Sequence, residues 1–236
     1  MSDPTLPKLS LHHGSSAIAI SQVDVIENLP TAMKFQPITV HAGPKSDLWR
    51  KPPSTDVDNA PTVLISMPIK LHKFRSAKVT VSADWNTKYD QGGLALFIPD
   101  EDTTKWVKTG IEFVWGKPHI SAVATSRWSD WSIVPLPESA GGKVTIQVER
   151  EVKGNDRVES LWIYIVNPET GEKQGIREIT WWFRHDIDGG NAEPAANRCL
   201  LVGVYGARPT VPEGEGREKE ELAVHLDGFE VTLFED

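Results

Sequence analysis

Between Trp106 and Trp115 the chain reads Trp-Val-Lys-Thr-Gly-Ile-Glu-Phe-Val-Trp, and an extended strand through it sorts these residues by parity. Trp106, Lys108, Gly110 and Glu112 face one way; Val107, Thr109, Ile111, Phe113 and Trp115 face the other. The second set is apolar enough to meet a core. The first places a cation and a carboxylate on one surface, roughly 13 Å apart at about 3.3 Å per residue, too far to pair directly. Gly110 between them adds no side chain and is expected to leave the floor open. Such a floor suits two chemistries. It can hold a small polar ligand, or Glu112 can move a proton while Lys108 stabilises developing negative charge.

Nearby motifs add candidates: Trp49 and Arg50, Asp90 and Gln91, Asp130 and Trp131, and Tyr205. An indole such as Trp131 offers a face for a sugar ring, and Arg50 offers a fork for a carboxylate or phosphate. The ligand-binding set is therefore Trp49, Arg50, Gln91, Lys108, Glu112, Asp130, Trp131 and Tyr205; for an enzyme, the catalytic set is Glu112, Asp90 and Lys108. Glycoside hydrolysis would need a second carboxyl about 5–5.5 Å from Glu112 for retention or about 6.5–9.5 Å for inversion. Asp90, Asp130 and Asp84 are the candidates. Plainer roles compete: Ser129 and Asp130 can bond local backbone N–H groups in a tight connection, Trp131 can pack a core, and Arg50 can pair with a structural acid.

His185, Asp186, Asp188 and Asn191 gather oxygen and imidazole groups on one loop, but Gly190 and Asn197 occupy positions where an EF-hand needs ligands. The loop reads as solvated and acidic; no metal and no cofactor are expected. Phosphate-binding glycine loops, nucleophile elbows and dinucleotide fingerprints are missing from the sequence.

The elements that would position these groups are strands. Val79, Val81, Ala83 and Trp85 alternate with polar neighbours, as do Val144, Ile146 and Val148. Thr62–Met67, Leu94–Ile98, Leu161–Val166, Ile179–Phe183 and Leu200–Tyr205 are apolar on both faces, as strands inside a sandwich would be. Turn residues separate them at 90–93, 115–118, 140–142, 153–156 and 167–171. The spacing predicts an all-β, two-sheet antiparallel sandwich, one domain over 1–236, with residues 1–15 as a flexible tail that includes His12 and His13. Nine Trp in 236 residues supply large side chains for packing or stacking. A net charge of −8 without a basic run argues against nucleic acid or an anionic membrane as partner. One cysteine, Cys199, excludes an internal disulfide; the N-terminal stretch MSDPTLPKLSLHHGSS has no apolar core of signal-peptide length, and no later segment reaches the ~18 apolar residues of a membrane span. A cytoplasmic location is the expectation.

Five motifs occur in order across most of the chain: Asp47-Leu48-Trp49-Arg50, Tyr89-Asp90-Gln91-Gly92-Gly93-Leu94, Trp106-Val107-Lys108-Thr109-Gly110-Ile111-Glu112, Ser129-Asp130-Trp131-Ser132 and Val202-Gly203-Val204-Tyr205. Together they resemble the regulation-of-enolase-like family of domains of unknown function. The resemblance implies a jelly roll of the concanavalin A-like lectin/glucanase superfamily with a concave groove. It brings no reaction with it, and the local Glu-x-Asp-x-x-Glu signature of glucanases of similar architecture is missing. Two departures, the long loop 184–197 and Ala207-Arg208-Pro209, fall where loops could rim the groove. Three functions follow as expectations: binding of a small polar or sugar-like ligand, cofactor-independent acid–base catalysis in the same groove, or modulation of a metabolic-enzyme partner through an exposed face.

Overall fold

Alternation along 74–82 and 143–153 leaves rows of branched side chains that only a second apolar layer can cover, and the computed structural model supplies that layer. It describes residues 7–13, 29–99, 103–184 and 198–235. One antiparallel sheet runs β1 (Leu9–His13), β6 (Pro61–Ile65), β16 (Cys199–Ala207), β9 (Gln91–Ile98), β10 (Lys105–Val114), β11 (Lys117–Thr125) and β12 (Ser129–Pro135), with β7 (Ile69–Lys70) also on β16. The second runs β15 (Lys173–Ile179), β14 (Asp156–Val166), β13 (Lys143–Lys153), β8 (Phe74–Ser82), β17 (Leu222–Leu233) and β2 (Ala32–Lys34), with β3 (Ile38–Ala42) on β17. A separate hairpin is formed by β4 (Leu48–Lys51) and β5 (Thr55–Asp58). The fold is all-β, a two-sheet antiparallel sandwich as the alternation predicts, and a jelly roll as the family resemblance implies.

The main core lies between the sheets, where Leu94, Leu96, Val107 and Ile111 meet Val79, Val81, Ile146, Val148 and Ile163. A second apolar cluster covers the opposite face of the first sheet. There Leu64, Ala95, Phe97, Trp106, Val123 and Tyr205 pack beneath Leu48 and Trp49 of the β4–β5 hairpin. The parity of β10 therefore holds: Val107 and Ile111 point into the sandwich, Lys108 and Glu112 out of it. Gly110 plays another role than the one expected. It pairs with Gly93 across β9, and a Cβ there would strike the Gly92 carbonyl oxygen and lie 2.8 Å from Gly93 Cα. The glycine permits close strand contact and does not open a floor.

Several local expectations are corrected. Gln91-Gly92-Gly93 begins β9 and Ser129-Asp130-Trp131 begins β12, where turns were predicted. The strand predicted over Ile179–Phe183 ends at Ile179, and Trp182 and Phe183 are buried in the turn that follows. Trp115 leaves the apolar face because it and Gly116 adopt left-handed conformations (φ 53° and 76°) in the β10–β11 hairpin turn; it is 75% exposed. Leu9–His13 is an edge strand against β6, not tail. At the far end of the sheets, Arg177 of β15 reaches across to β12, donating from Nη2 to Asp130 Oδ2 (2.6 Å) and from Nη1 to Ser132 Oγ (2.8 Å). Among the described residues no helix is long and apolar enough to cross a membrane.

Candidate functional site

Register assembles the site on the outer face of the first sheet. Gln91 of β9 sits opposite Glu112, Val123 of β11 opposite Lys108, and Trp131 of β12 opposite Val123. Tyr205 of β16 stands opposite Gly93. The β4–β5 hairpin lays Asp47 and Trp49 over this surface. Asn59 brackets Asp47, accepting its N–H at 2.8 Å and donating its own N–H to the Asp47 carbonyl at 3.0 Å. Arg50 fastens the hairpin, with Nη1 donating to the carbonyls of Thr104 (2.9 Å) and Ser126 (3.0 Å) and Nε to Asp56 Oδ1 (3.3 Å). The result is a cavity of about 410 Å³ lined by Asp47, Trp49, Tyr89, Gln91, Lys108, Glu112, Val123, Trp131, Pro209 and Thr210.

Its polar groups form a connected network. Lys108 is 3% exposed, and its Nζ donates to Gln91 Oε1 (2.7 Å) and Asp47 Oδ1 (3.3 Å). The rings of Trp49, Trp106 and Tyr205 lie with centroids 6.0, 5.8 and 6.0 Å from that nitrogen, a setting that favours a cation. Gln91 is fully engaged: Nε2 donates to Asp47 Oδ1 and the Tyr89 carbonyl, and Oε1 also accepts from the Tyr205 hydroxyl, each at 3.3 Å. Glu112 Oε2 accepts from Ser121 Oγ (2.7 Å) and Trp131 Nε1 (3.0 Å). Trp131 meets Trp49 edge to face at 6.2 Å.

Burial pushes the Glu112 carboxyl above the usual carboxylate value; Lys108 and the bonds from Ser121 and Trp131 oppose the shift, and Asp47 adds to it. Burial, then the charges of Glu112 and Asp47, push the Tyr205 hydroxyl well above its ordinary value, so it stays a neutral donor to Gln91. A raised carboxyl in a half-enclosed cavity can bind a ligand or exchange a proton with it.

Of the residues nominated from sequence, Trp49, Gln91, Lys108, Glu112 and Trp131 line the cavity, and Tyr205 supports it from below. Three lie elsewhere. Asp90 is fully buried in an ion pair with Arg208, receiving Nε at Oδ1 (2.8 Å) and Nη2 at Oδ2 (2.9 Å), together with the N–H groups of Asn86 and Thr87. It anchors the chain and does not meet the cavity. Arg50 points away from Trp49 and is engaged as the hairpin's fastener. Asp130, with its side chain 77% exposed, pairs with Arg177 on the other face of β12. Asp84, the remaining acid considered as a partner for Glu112, is exposed beside Asn86. The second acid of the cavity is instead Asp47, which sequence reasoning missed, along with Tyr89, Ser121, Val123, Pro209 and Thr210. Parity was the available signal, since Asp47 shares a face with Trp49. His185, Asp186, Asp188 and Asn191 lie outside the described residues.

Residues 27–233 match the family described as "Protein of unknown function (DUF1349)". The chain belongs to that family. The more specific regulation-of-enolase label is not part of the match. An uncharacterized protein of Emericella nidulans is 42% identical over 203 residues, covering 85% of this chain and 89% of the relative. A functionally unknown protein from Saccharomyces cerevisiae has a similar structure, with a TM-score of 0.58 at 21% identity over 86% of this chain and 93% of that one. The catalytic domain of an endo-1,3-beta-glucanase (laminarinase) from Thermotoga petrophila is similar with a TM-score of 0.52 at 12% identity, covering 100% of this chain and 93% of that one. At these identities the structural likenesses show the fold, the jelly roll of the glucanase type, and no activity.

Proposed function

We propose that the chain binds a small polar or sugar-like metabolite in the cavity beneath the β4–β5 hairpin. The observation that carries this reading is the buried Lys108, held between Asp47 and Gln91 and facing a cavity of about 410 Å³ walled by Trp49 and Trp131. That volume falls in the range of small-molecule sites, and convergent polar groups among aromatic walls are their usual lining. The likeness to a laminarinase fold favours a sugar-like ligand. The test is to incubate the purified protein with a cell metabolite extract and identify retained compounds by mass spectrometry, in parallel with Lys108→Met and Trp131→Ala. A compound retained by the parent protein and lost from both variants supports the reading. No retention, or the same retention in all three proteins, overturns it.

A second reading, acid–base catalysis, is favoured by the raised carboxyl of Glu112 in the same cavity. In that case the extract would lose a substrate and gain a product. Glu112→Gln would then lower turnover by about 10²–10⁴-fold with binding largely kept.

A further inference from the structure

The hydrogen bonds inside the cavity are lopsided. Every bond that described residues give the Glu112 side chain ends on Oε2, from Ser121 Oγ at 2.7 Å and Trp131 Nε1 at 3.0 Å. Every bond they give the Asp47 side chain ends on Oδ1, from Leu48 N at 2.7 Å and from Gln91 Nε2 and Lys108 Nζ at 3.3 Å. Glu112 Oε1 and Asp47 Oδ2 are thus left as acceptors on two side chains that line the cavity. The donors of the inner network are engaged. Both Gln91 amide protons, the hydroxyls of Ser121 and Tyr205, the Trp131 indole N–H and two of the three Lys108 protons already end on protein atoms. Trp49, Tyr89 and Thr210 also line the cavity and carry donors, but neutral ones, which bring no charge to set against a carboxylate or phosphate.

An ionised carboxylate oxygen can only accept, and inside a cavity an acceptor left unmatched is costly, so the complementary molecule must bring donors. Charge points the same way. Lys108 contributes one positive charge and Asp47 and Glu112 two negative ones when ionised, and the Lys108 ammonium is already held by Asp47 and Gln91, so an anion would find little free cation and two repelling carboxylates.

We infer that the ligand is a polyhydroxylated compound without negative charge, neutral or amine-bearing, that donates to Glu112 Oε1 and Asp47 Oδ2 while its carbon face lies against Trp131 and Trp49. Phosphorylated and carboxylated sugars are excluded. This narrows the ligand-binding reading and rests on it.

The Trp131 indole N–H, bonded to Glu112, reports occupancy in 1H–15N spectra once assigned by Trp131→Phe. Glucose, glucosamine and glucuronate are titrated separately as probes. Glucose or glucosamine should shift that signal, and glucuronate should need at least about tenfold more to do so. In Asp47→Asn, with the rest of the spectrum preserved, the gap between the amine or neutral probe and glucuronate should narrow. Glucuronate binding as well as or better than the others overturns the inference while leaving the ligand-binding reading in place. No shift with any probe also overturns it, and retention of a phosphorylated or carboxylated compound from the metabolite extract would separate that failure from a failure of binding altogether. A gap unchanged in Asp47→Asn removes Asp47 as its cause and likewise counts against the inference.

Discussion

Asp90→Ala should destabilise the fold severely, and the structure lets the size be worked out. Asp90 is 0% and Arg208 1% exposed, and two contacts of 2.8 and 2.9 Å join them. Arg208 further donates to the Glu220 carbonyl at 3.0 Å and Asn86 Oδ1 at 3.3 Å, so its guanidinium cannot swing out to water without dismantling the loop after β16. Removing Asp90 leaves that buried cation with only the looser, partly exposed Glu220 carboxylate at 3.6 Å, and a broken buried pair costs about 3–5 kcal/mol. The N–H groups of Asn86 and Thr87 lose their acceptor as well, which offsets what the Glu220 contact retains and keeps the loss within that range. At about 2–4 °C per kcal/mol for a chain of this size, the midpoint should fall by roughly 6–20 °C. Urea unfolding followed by tryptophan fluorescence measures the free energy directly. Asp90→Leu combined with Arg208→Met should recover most of the loss, because a buried pair replaced by apolar groups is often close to neutral. A single-variant loss below about 1 kcal/mol, with an unchanged denaturant slope, would refute the assignment of Asp90 as a structural anchor and return it to the list of functional acids.

Further outcomes are expected. Ile111→Ala should cost about 2–5 kcal/mol as a truncation between the sheets, and Lys108→Met about 1–3 kcal/mol because Lys108 is buried and bonded, so near-neutrality at Lys108 in urea melts would contradict its described burial. Glu112 holds its proton more tightly folded than unfolded, so its stabilising contribution is full below the ordinary value of 4.5 and is lost as pH rises through the raised folded value; Glu112→Gln should therefore gain on the parent protein across that window, and a gap that stays flat with pH would count against the shift. Gly110→Ala should destabilise by about 3 kcal/mol or more, since its Cβ would meet the backbone of Gly92 and Gly93; a thermal midpoint equal to the parent's would show that the strands can part there. Asp130→Ala, by contrast, breaks only an exposed pair and should cost under about 1 kcal/mol, leaving retention of any ligand unchanged.

How much of the site could be read from sequence follows from strand geometry. Within β10 the two-residue period sorted Val107 and Ile111 from Lys108 and Glu112, and the structure keeps that division. The same period was overlooked where neighbours were nominated together. Trp49 with Arg50, Gln91 with Asp90 and Trp131 with Asp130 are each adjacent in sequence, and in each pair only the first lines the cavity. The residues at 90–93 and 129–131 mask that constraint, because glycines and small polar residues that signal turns also occur where strands approach closely or a strand begins. Ser121 and Val123 could not be placed from a single strand, and parity ties Asp47 only to Trp49: all three join the site through register and through a hairpin folded back over the sheet, both set by contacts between distant segments. The fold was legible because many strands repeat one pattern; the site was only partly so because it depends on which strands lie side by side.

The Arg177 bridge between β15 and β12 bears on how molecules of this chain meet one another. Both strands end their sheets, and an end strand offers unpaired backbone groups on which a second chain can build. Here that rim carries a guanidinium tied to Asp130 and Ser132, with Lys173 and Glu178 along the same strand. A second copy docking strand to strand would have to desolvate those charges and break the bridge. The side chains that close the sandwich thus also oppose edge-to-edge aggregation, and charge-neutral replacements at Arg177 and Asp130 are expected to lower the concentration at which the protein stays monodisperse before they alter its fold.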